Sequence, residues 1–200
     1  ESGDDAAFCS ELADGLGVAY RSESADVAAL ASERGRGVEE AGRRARYTFL
    51  RRVRGEACAS VVAVAHTRDD QAETLLLRLF RASGSAGLGG MQPRRGDIFR
   101  PLLQVSREEV LAHLRSRGLR WREDASNGDR RFARNRVRHD LLPYLEAHFS
   151  PRLREALART AQLLADEARL MQTLGRRSGP TVDLRDGGAV LNVKALRRAP

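Results

Sequence analysis

Cysteine, lysine and aromatic residues are all scarce in this chain of 200 residues. The chain has two cysteines, Cys9 and Cys58, and a single lysine, Lys194, and aromatic side chains make up 5% of it. Neither cysteine has a second cysteine or a histidine at metal-ligand spacing, and two thiols make a poor disulfide framework. The sequence therefore predicts a chain of a reducing compartment, the cytoplasm.

Long apolar runs are also missing. No stretch approaches the roughly 18 to 20 apolar residues of a membrane helix, and the first residues are acidic rather than signal-like. Hydrophobic residues nevertheless make up 42% of the chain and charged residues 31%, which is too apolar for disorder. We expect a globular chain that has no membrane partner.

Positive charge is in surplus. The chain has 35 lysine and arginine residues against 27 acidic residues, a formal net charge of +8. Such a surplus favours polyanionic partners, and the arginine fork is suited to phosphate. A GC-rich genome would also exchange lysine for arginine, but that exchange does not explain the surplus itself.

The first 81 residues alternate between helical and extended patterns. Helices are predicted at 4–16, 24–34, 38–54 and 71–81, and a short strand at 18–21. The valine-rich run at 60–65 is typical of a strand that is buried on both faces of a parallel sheet. This alternation predicts an α/β fold with a parallel sheet and flanking helices.

The later part of the chain predicts a loop and then further helices. Four glycines lie within 84–90, which indicates a flexible loop, and 100–103 could form an edge strand. Helices are predicted at 107–117 and at 150–175, the second with an apolar stripe that extends to Leu174. Segments 181–184 and 189–193 form a predicted hairpin. We therefore expect one domain over 1–145, then a long helix and the start of an α+β domain over 146–200.

The strongest candidate site follows the valine-rich strand, in His66-x-x-Asp69-Asp70-x-x-Glu73-Thr74. In open α/β sheets the crevice beyond the strand ends binds ligands. The three carboxylates can share one helix face, where they could hold Mg²⁺ or act as bases near a cationic amine. Alternatively, Asp70 and Glu73 form a capping box that only stabilises the helix start.

A second candidate is an arginine-rich segment that follows Trp121-Arg-Glu-Asp-x-Ser-Asn127. On a helix, Arg131, Arg134, Asn135 and Arg138 would share one face and offer a platform for phosphates. A solvated charged face is the alternative. A third group, Glu40, Arg43, Arg46 and Tyr47, lies on the helix before the buried strand, where ordinary intrahelical pairs would explain it as well.

Read together, five blocks of this sequence resemble the tRNA(Ile)-lysidine synthetases, a PP-loop family. The blocks are His66-x-x-Asp-Asp-x-x-Glu-Thr, Arg81-x-Ser-Gly-x-x-Gly-Leu-x-Gly-Met91, Arg100-Pro-Leu-Leu, Trp121-x-Glu-Asp-x-Ser-Asn127 and Arg134-Asn-Arg-x-Arg-x-x-Leu-Leu-Pro143. The order and spacing of the blocks also match. The resemblance implies a partial Rossmann-like PP-loop ATPase domain.

The resemblance also implies an ATP-dependent ligase that acts on tRNA(Ile). ATP adenylates the wobble cytidine, and the amine of L-lysine then displaces AMP. By this likeness the catalytic residues are His66, Asp69, Asp70, Glu73 and Arg138, with Asp69 and Asp70 as Mg²⁺ ligands. Nucleotide and lysine would be bound by Arg43, Arg46, Thr74 and Gly84. The tRNA would be bound by Arg131, Arg134 and Asn135.

One departure from the family pattern concerns its Ser-Gly-Gly-x-Asp-Ser nucleotide loop, which does not occur in these 200 residues. No Walker-type loop replaces it. We therefore expect a chain truncated before that loop, and inactive alone. A PP-loop tRNA thiolase and a non-catalytic tRNA-binding protein remain alternatives. The oligomeric state is open, with a homodimer among the options.

Overall fold

The computed structural model describes residues 2–33, 35, 37–123, 125–178, 182–185 and 188–191. These residues belong to two compact units. The first unit draws on Glu1–Ala65, Arg94–Pro101 and Leu114–Asp124, and the second on His66–Pro93, Leu102–His113 and Ala125–Pro200. None of the described helices is both long enough and apolar enough to cross a membrane.

The first unit begins with three helices, all of which the sequence predicts. They are α1 (Ser2–Gly15), α2 (Val27–Glu33) and α3 (Val38–Glu56). A carboxylate oxygen of Asp26 accepts a hydrogen bond from the backbone N–H of Ala29 at 2.9 Å, which caps the start of α2. Helix α2 packs against α3.

A small sheet completes the first unit. Strand β1 (Val62–Ala63) pairs in parallel with β3 (Ile98–Phe99), and β2 (Arg94–Arg95) pairs antiparallel with β3. The turn between β2 and β3 contains Gly96, whose φ of +59° favours glycine. A side-chain oxygen of Asp97 in this turn accepts a hydrogen bond from Arg54 of α3 at 3.0 Å. The turn is thereby fastened to α3.

The sheet differs from the predicted one in two ways. It is mixed rather than parallel, because a two-residue turn can only join antiparallel strands. Its first strand is buried on one face only, with Val62 buried and Ala63 exposed, so the prediction of burial on both faces is wrong. Among the described residues the chain is mostly helical, and the α/β prediction holds in the order strand, turn, helix around residues 62–79.

Two further strand predictions are wrong. Residues 18–21 are irregular, and they pair with no strand in the part of the chain that the structure describes. Residues 101–104 form turns, and the neighbouring strand ends at Phe99. Both segments have the composition of a short strand, but a strand exists only where a neighbour satisfies its backbone groups.

The second unit is helical. It contains α4 (Arg68–Leu79), α5 (Ser85–Leu88), the 3₁₀ turn Ala125–Gly128, α7 (Ala133–Arg136), a π turn (Val137–Leu141), α8 (Leu142–His148) and α9 (Leu153–Ser178). Helix α6 (Arg107–Ser116) begins with the predicted capping box, in which the N–H of Glu109 donates to Ser106 Oγ at 3.1 Å. The predicted helices at 71–81, 107–117 and 150–175 are confirmed.

A π turn interrupts the helical stretch from Ala133 to His148. Pro143 lies one residue beyond the start of α8 and has no N–H to donate to the carbonyl four residues earlier. The helix widens at that point, as helices do where the regular ladder cannot be completed. Because α7 begins at Ala133, Arg131 lies outside it, and the predicted single face that includes Arg131 is wrong.

The core of the second unit lies where α4, the π turn and α9 meet. Its buried centre is formed by Leu76, Val137 and Leu142, and Leu153 and Leu157 of α9 pack against them. The predicted apolar stripe of α9 is buried only in part, since Met171 is 68% exposed and Leu174 is 45% exposed. The first half of α9 therefore supplies the packing.

The hairpin predicted near the end of the chain is confirmed for the described residues. Strands β4 (Val182–Arg185) and β5 (Gly188–Leu191) pair antiparallel. The predicted strand residues 181, 192 and 193 and the turn residues 186 and 187 lie outside the described residues. The predicted domain division between 145 and 146 stays a prediction.

The glycine-rich segment 84–90 is held in place rather than free. It contains the one-turn helix α5, which corrects the prediction of a plain loop. Buried Gln71 donates to the carbonyl of Met91 at 3.1 Å and accepts from the N–H of Met91 at 2.7 Å. Arg78 donates to the carbonyls of Gly87 and Gly90. Helix α4 thus fixes the segment through its side chains.

A methyl group at Gly90 would push the amide of Gln71 away from Met91, so we expect Gly90→Ala to destabilise the chain by about 2 to 4 kcal/mol. Gly90 has a φ of +65°, and a methyl group there would lie 2.6 Å from the amide nitrogen of Gln71. Gly96→Ala is the matched control, because Gly96 has a φ of +59° with nothing within 4 Å. We expect the control to cost about 1 kcal/mol in urea unfolding. Equal losses at the two positions would show that Gln71 does not tie down the segment.

Candidate functional site

The start of α4 orients the first carboxylate of the site. Asp70 Oδ2 accepts hydrogen bonds from the N–H of Thr67 at 2.8 Å and from Thr67 Oγ1 at 3.1 Å. The capping box therefore joins Thr67 to Asp70, and does not run from Asp70 to Glu73 as predicted. Thr74 donates its hydroxyl to the carbonyl of Asp70 at 2.7 Å.

Glu73, one turn further along α4, is fully buried. Arg138 donates to both of its oxygens, from Nε to Oε1 at 2.6 Å and from Nη2 to Oε2 at 3.1 Å. Arg134 donates from Nε to Oε2 at 2.7 Å. A buried carboxylate requires such partners, because an unpaired charge away from water is costly.

The same two arginines reach the capping carboxylate. Asp70 Oδ1 accepts from Arg134 Nη2 at 3.1 Å and from Arg138 Nη2 at 3.2 Å. Two guanidiniums therefore face two carboxylates. Burial by itself lowers the pKa of Arg138, but hydrogen bonds with Glu73 and the charges of Glu73 and of the two aspartates outweigh it. The pKa of Arg138 lies above its ordinary value, so this side chain is a permanent cation.

Asp69, the remaining carboxylate of the motif, has different partners. Its Oδ2 accepts from the backbone N–H of Arg107 at 2.7 Å, and its Oδ1 from Arg154 Nη1 at 3.3 Å. Arg154 also donates from Nε to both oxygens of Glu146, at 3.0 and 3.1 Å. Asp69 thus joins the start of α4 to the starts of α6 and α9.

These contacts form one group that we call the carboxylate–arginine network. Its members are Asp69, Asp70, Glu73, Arg134, Arg138, Glu146 and Arg154. Four carboxylates meet three guanidiniums, so the network carries one net negative charge. Asn127 adds a neutral contact, since its Oδ1 accepts from Arg138 Nη1 at 3.3 Å.

A comparison with known protein families identifies the family to which this chain belongs. The PP-loop domain family matches residues 1–145. The chain belongs to the PP-loop family.

The chain is also similar in sequence to several named proteins. The chain is 44% identical over 205 residues to the tRNA(Ile)-lysidine synthase of Geobacter sulfurreducens, with 100% of this chain and 43% of that protein covered. It is 44% identical over 172 residues to the Thermus thermophilus enzyme of the same name, with 86% of this chain and 33% of that protein covered. The chain thus spans less than half of the length of these relatives.

A solved structure shows the same fold. The U34-tRNA thiolase NcsA from Methanococcus maripaludis, solved with its [4Fe-4S] cluster, superposes with a TM-score of 0.61. The match covers 82% of this chain and 57% of that chain at 19% sequence identity. At that identity the likeness is one of fold alone.

Within this PP-loop chain, the structure brings five predicted site residues together. They are Asp69, Asp70, Glu73, Arg134 and Arg138. His66 is half-buried and lies directly before the capping residue Thr67. Asn135 is buried and donates from Nδ2 to the carbonyl of Asp129 at 2.9 Å.

Other predicted residues lie elsewhere. Arg131 pairs with Asp129 at 2.7 Å, and its side chain is 88% exposed. Gly84 precedes α5 as its N-cap residue. Arg43 and Arg46 lie on α3 in the first unit, where the Arg43 guanidinium stacks on the Tyr47 ring at 5.1 Å from the ring centroid. Their predicted binding roles stay predictions.

The network as it lies does not fit Mg²⁺. A magnesium site needs carboxylate oxygens that are open to the metal. Each oxygen of Asp69, Asp70 and Glu73 instead accepts an N–H from an arginine side chain or from the backbone. Among the described residues, no group of three or more His, Cys, Asp or Glu side chains could hold a metal ion.

Two members of the network were missed by the sequence analysis. Glu146 and Arg154 follow the last recognised block, and both have the composition of an ordinary helix surface. They are eight residues apart, on either side of the break before α9. This spacing predicts a contact only once α8 and α9 are known to pack against each other.

Proposed function

We propose that this chain is part of a tRNA(Ile)-lysidine synthase, which uses ATP to join L-lysine to the wobble cytidine of tRNA(Ile). The observation that carries the proposal is the 44% identity to the Geobacter sulfurreducens enzyme over the whole of this chain. In the proposed reaction the base is adenylated, diphosphate leaves, and the lysine amine displaces AMP. The reaction takes place in the cytoplasm, where tRNA is the substrate.

The charge of the carboxylate–arginine network supports a cationic substrate. Its single net negative charge would attract lysine in its ammonium form, which a neighbouring carboxylate stabilises, and this group would give up a proton before its nitrogen attacks the adenylated base. The three arginines neutralise the other three carboxylates, which reduces the repulsion between the network and the phosphates of ATP. We therefore place the lysine amine beside the network rather than on an open cluster of acids.

The arginines supply the second half of the proposal. Arg138 holds two carboxylates and remains cationic, and it is the member best suited to face charge that develops during adenylation. We assign exposed Arg131 to a phosphate of the tRNA, where such a contact adds affinity without reading sequence. Mg²⁺ accompanies ATP in this proposal, and the network side chains are not assigned to hold it.

The test is an assay of the complete protein with ATP, labelled lysine and a tRNA(Ile) transcript. We expect lysine to be incorporated and AMP to be released in equal amounts. A transcript with uridine in place of the wobble cytidine is the matched control, and we expect it to accept no lysine. Tight tRNA binding without AMP release would replace the proposal by a non-catalytic RNA-binding function.

The same assay addresses the thiolase alternative. Incorporation of sulfur from a sulfur donor, with no lysine incorporated, would contradict the proposal in favour of that alternative. The two cysteines of the chain, Cys9 and Cys58, are exposed and unpaired, and they offer no cysteine pair for sulfur transfer. That observation favours the ligase.

A further inference from the structure

Arg154, in the first turn of α9, contacts two carboxylates that come from different elements. Its Nε donates to both oxygens of Glu146 in α8, at 3.0 and 3.1 Å, and its Nη1 donates to Asp69 of α4 at 3.3 Å. The side chain is 24% exposed. An arginine shared in this way fixes the direction of both carboxylates, because the planar fork has few alternative positions.

Asp69 also contacts a third element, helix α6. Its other oxygen accepts the backbone N–H of Arg107 at 2.7 Å, which is one of the N–H groups that a helix start leaves without a helical partner. If Asp69 turned away, α6 would lose this acceptor. The orientation of one carboxylate therefore couples the starts of α4, α6 and α9.

Electrostatics explains why a cation is needed at Arg154. Arg134 and Arg138 form ion pairs with Asp70 and Glu73, and the charge of Asp69 reaches Arg138 without a direct ion pair, so Arg154 is the side-chain cation that pairs with Asp69 and Glu146. Without Arg154, the part-buried carboxylates of Asp69 and Glu146 would lose the cation between them. Their negative charges would then repel each other. The nearest relief for Asp69 would then be to swing toward water and release the Arg107 amide.

We propose that Arg154 is a positioning residue for the site, acting through Asp69 to hold the first turn of α4 in its working geometry. Both Arg154 and Glu146 lie beyond residue 145, where the PP-loop family match ends. The site therefore depends on a helix outside the matched domain. The role in turnover rests on the proposed function, whereas the role in geometry does not.

The kinetic test uses the complete protein with Arg154→Ala and, as the matched control, Arg159→Ala on the exposed side of the same helix. We expect kcat of Arg154→Ala to fall about 10- to 100-fold, because small misplacements of a site residue have effects of that size. The control should stay within about twofold of the wild type. Arg154→Lys should regain part of the rate, since an ammonium group reaches only one of the two carboxylates.

A double-mutant cycle shows whether Arg154 acts through Asp69. In an Asp69→Asn background, we expect Arg154→Ala to lower kcat by less than about twofold further. If Arg154→Ala lowers kcat by the same factor in both backgrounds, or no more than the control does, the proposal is overturned. Should Arg154→Ala fail to fold, the cycle is run with Arg154→Lys, and the same two outcomes decide.

Amide hydrogen exchange separates this proposal from the proposed function. We expect the Arg107 amide to exchange more than about tenfold faster in Arg154→Ala than in Arg159→Ala, because it loses its oriented acceptor. This result would support positioning by Arg154 even if the wild-type protein made no lysidine. Unchanged exchange at Arg107 would overturn the positioning role whatever the enzyme activity.

Discussion

Replacement of the buried carboxylate in Glu73→Gln is expected to destabilise the chain by about 3 to 5 kcal/mol, the usual cost of removing one partner from a buried ion pair. Glu73 is fully buried and accepts hydrogen bonds from Arg134 and Arg138. The amide keeps one acceptor but removes the charge. Two part-buried guanidiniums would then face Asp70 alone, with reduced screening by water.

The measurement is urea unfolding of the chain, followed by circular dichroism. Glu108→Gln is the control, because Glu108 lies on the exposed side of α6 and the same atoms are exchanged. We expect the control to change stability by less than about 0.5 kcal/mol. A Glu73→Gln protein as stable as the control would mean that the two arginines are neutralised by other groups.

Arg138→Lys is expected to lower turnover of the complete protein by at least about 100-fold, the usual size of the loss when one preorganised charge-stabilising group is removed. The Arg138 guanidinium spans both oxygens of Glu73, one oxygen of Asp70 and the side chain of Asn127. A lysine ammonium has the same charge but is a compact point. It cannot reproduce this planar set of contacts.

Arg136→Lys is the matched control in the same helical segment. Arg136 is exposed, and its guanidinium donates to the carbonyls of Arg130 and Arg131 rather than to the network. We expect lysine incorporation by the control to stay within about threefold of the wild type. If both substitutions have the same effect, general loss of positive charge explains the result, and Arg138 has no special place in the reaction.

The acidic half of the site is predictable from the sequence because its members are close together along the chain. Asp69, Asp70 and Glu73 fall within five residues at the start of a helix, and helical geometry then places them on adjacent turns. The resemblance to a known family adds Arg134 and Arg138. The helices themselves follow from apolar periodicity and from caps such as Ser106.

The pairing of acids with arginines is a long-range fact that spacing does not contain. Arg138 is 65 residues from Glu73, and Arg154 is 85 residues from Asp69. The positive surplus suggested a phosphate platform, yet Arg134 and Arg138 face carboxylates in the second unit. Charge composition counts cations without saying which of them are already neutralised.

The sheet was the least predictable part of the fold. The run at 60–65 has the composition of a strand buried on both sides, and its alternating exposure arises from its neighbours. Strands β2 and β3 are two residues long, which is too short for a pattern of period two to be read. The local sequence sign of their hairpin is Gly96-Asp97, a pair of turn-forming residues.

The π turn at Val137–Leu141 makes the length of this segment more critical than its composition. Deleting a single residue there would let the backbone rewind into an ordinary α-helix, which rotates everything downstream by about 100° per residue. Arg154 would swing away from Asp69, which lies on α4 upstream of the turn, and Pro143 would meet the carbonyl that the wider turn now spares. A point substitution at exposed His139 should remove only its hydrogen bond with the carbonyl of Asn127, while any insertion or deletion beside it should dismantle the arrangement.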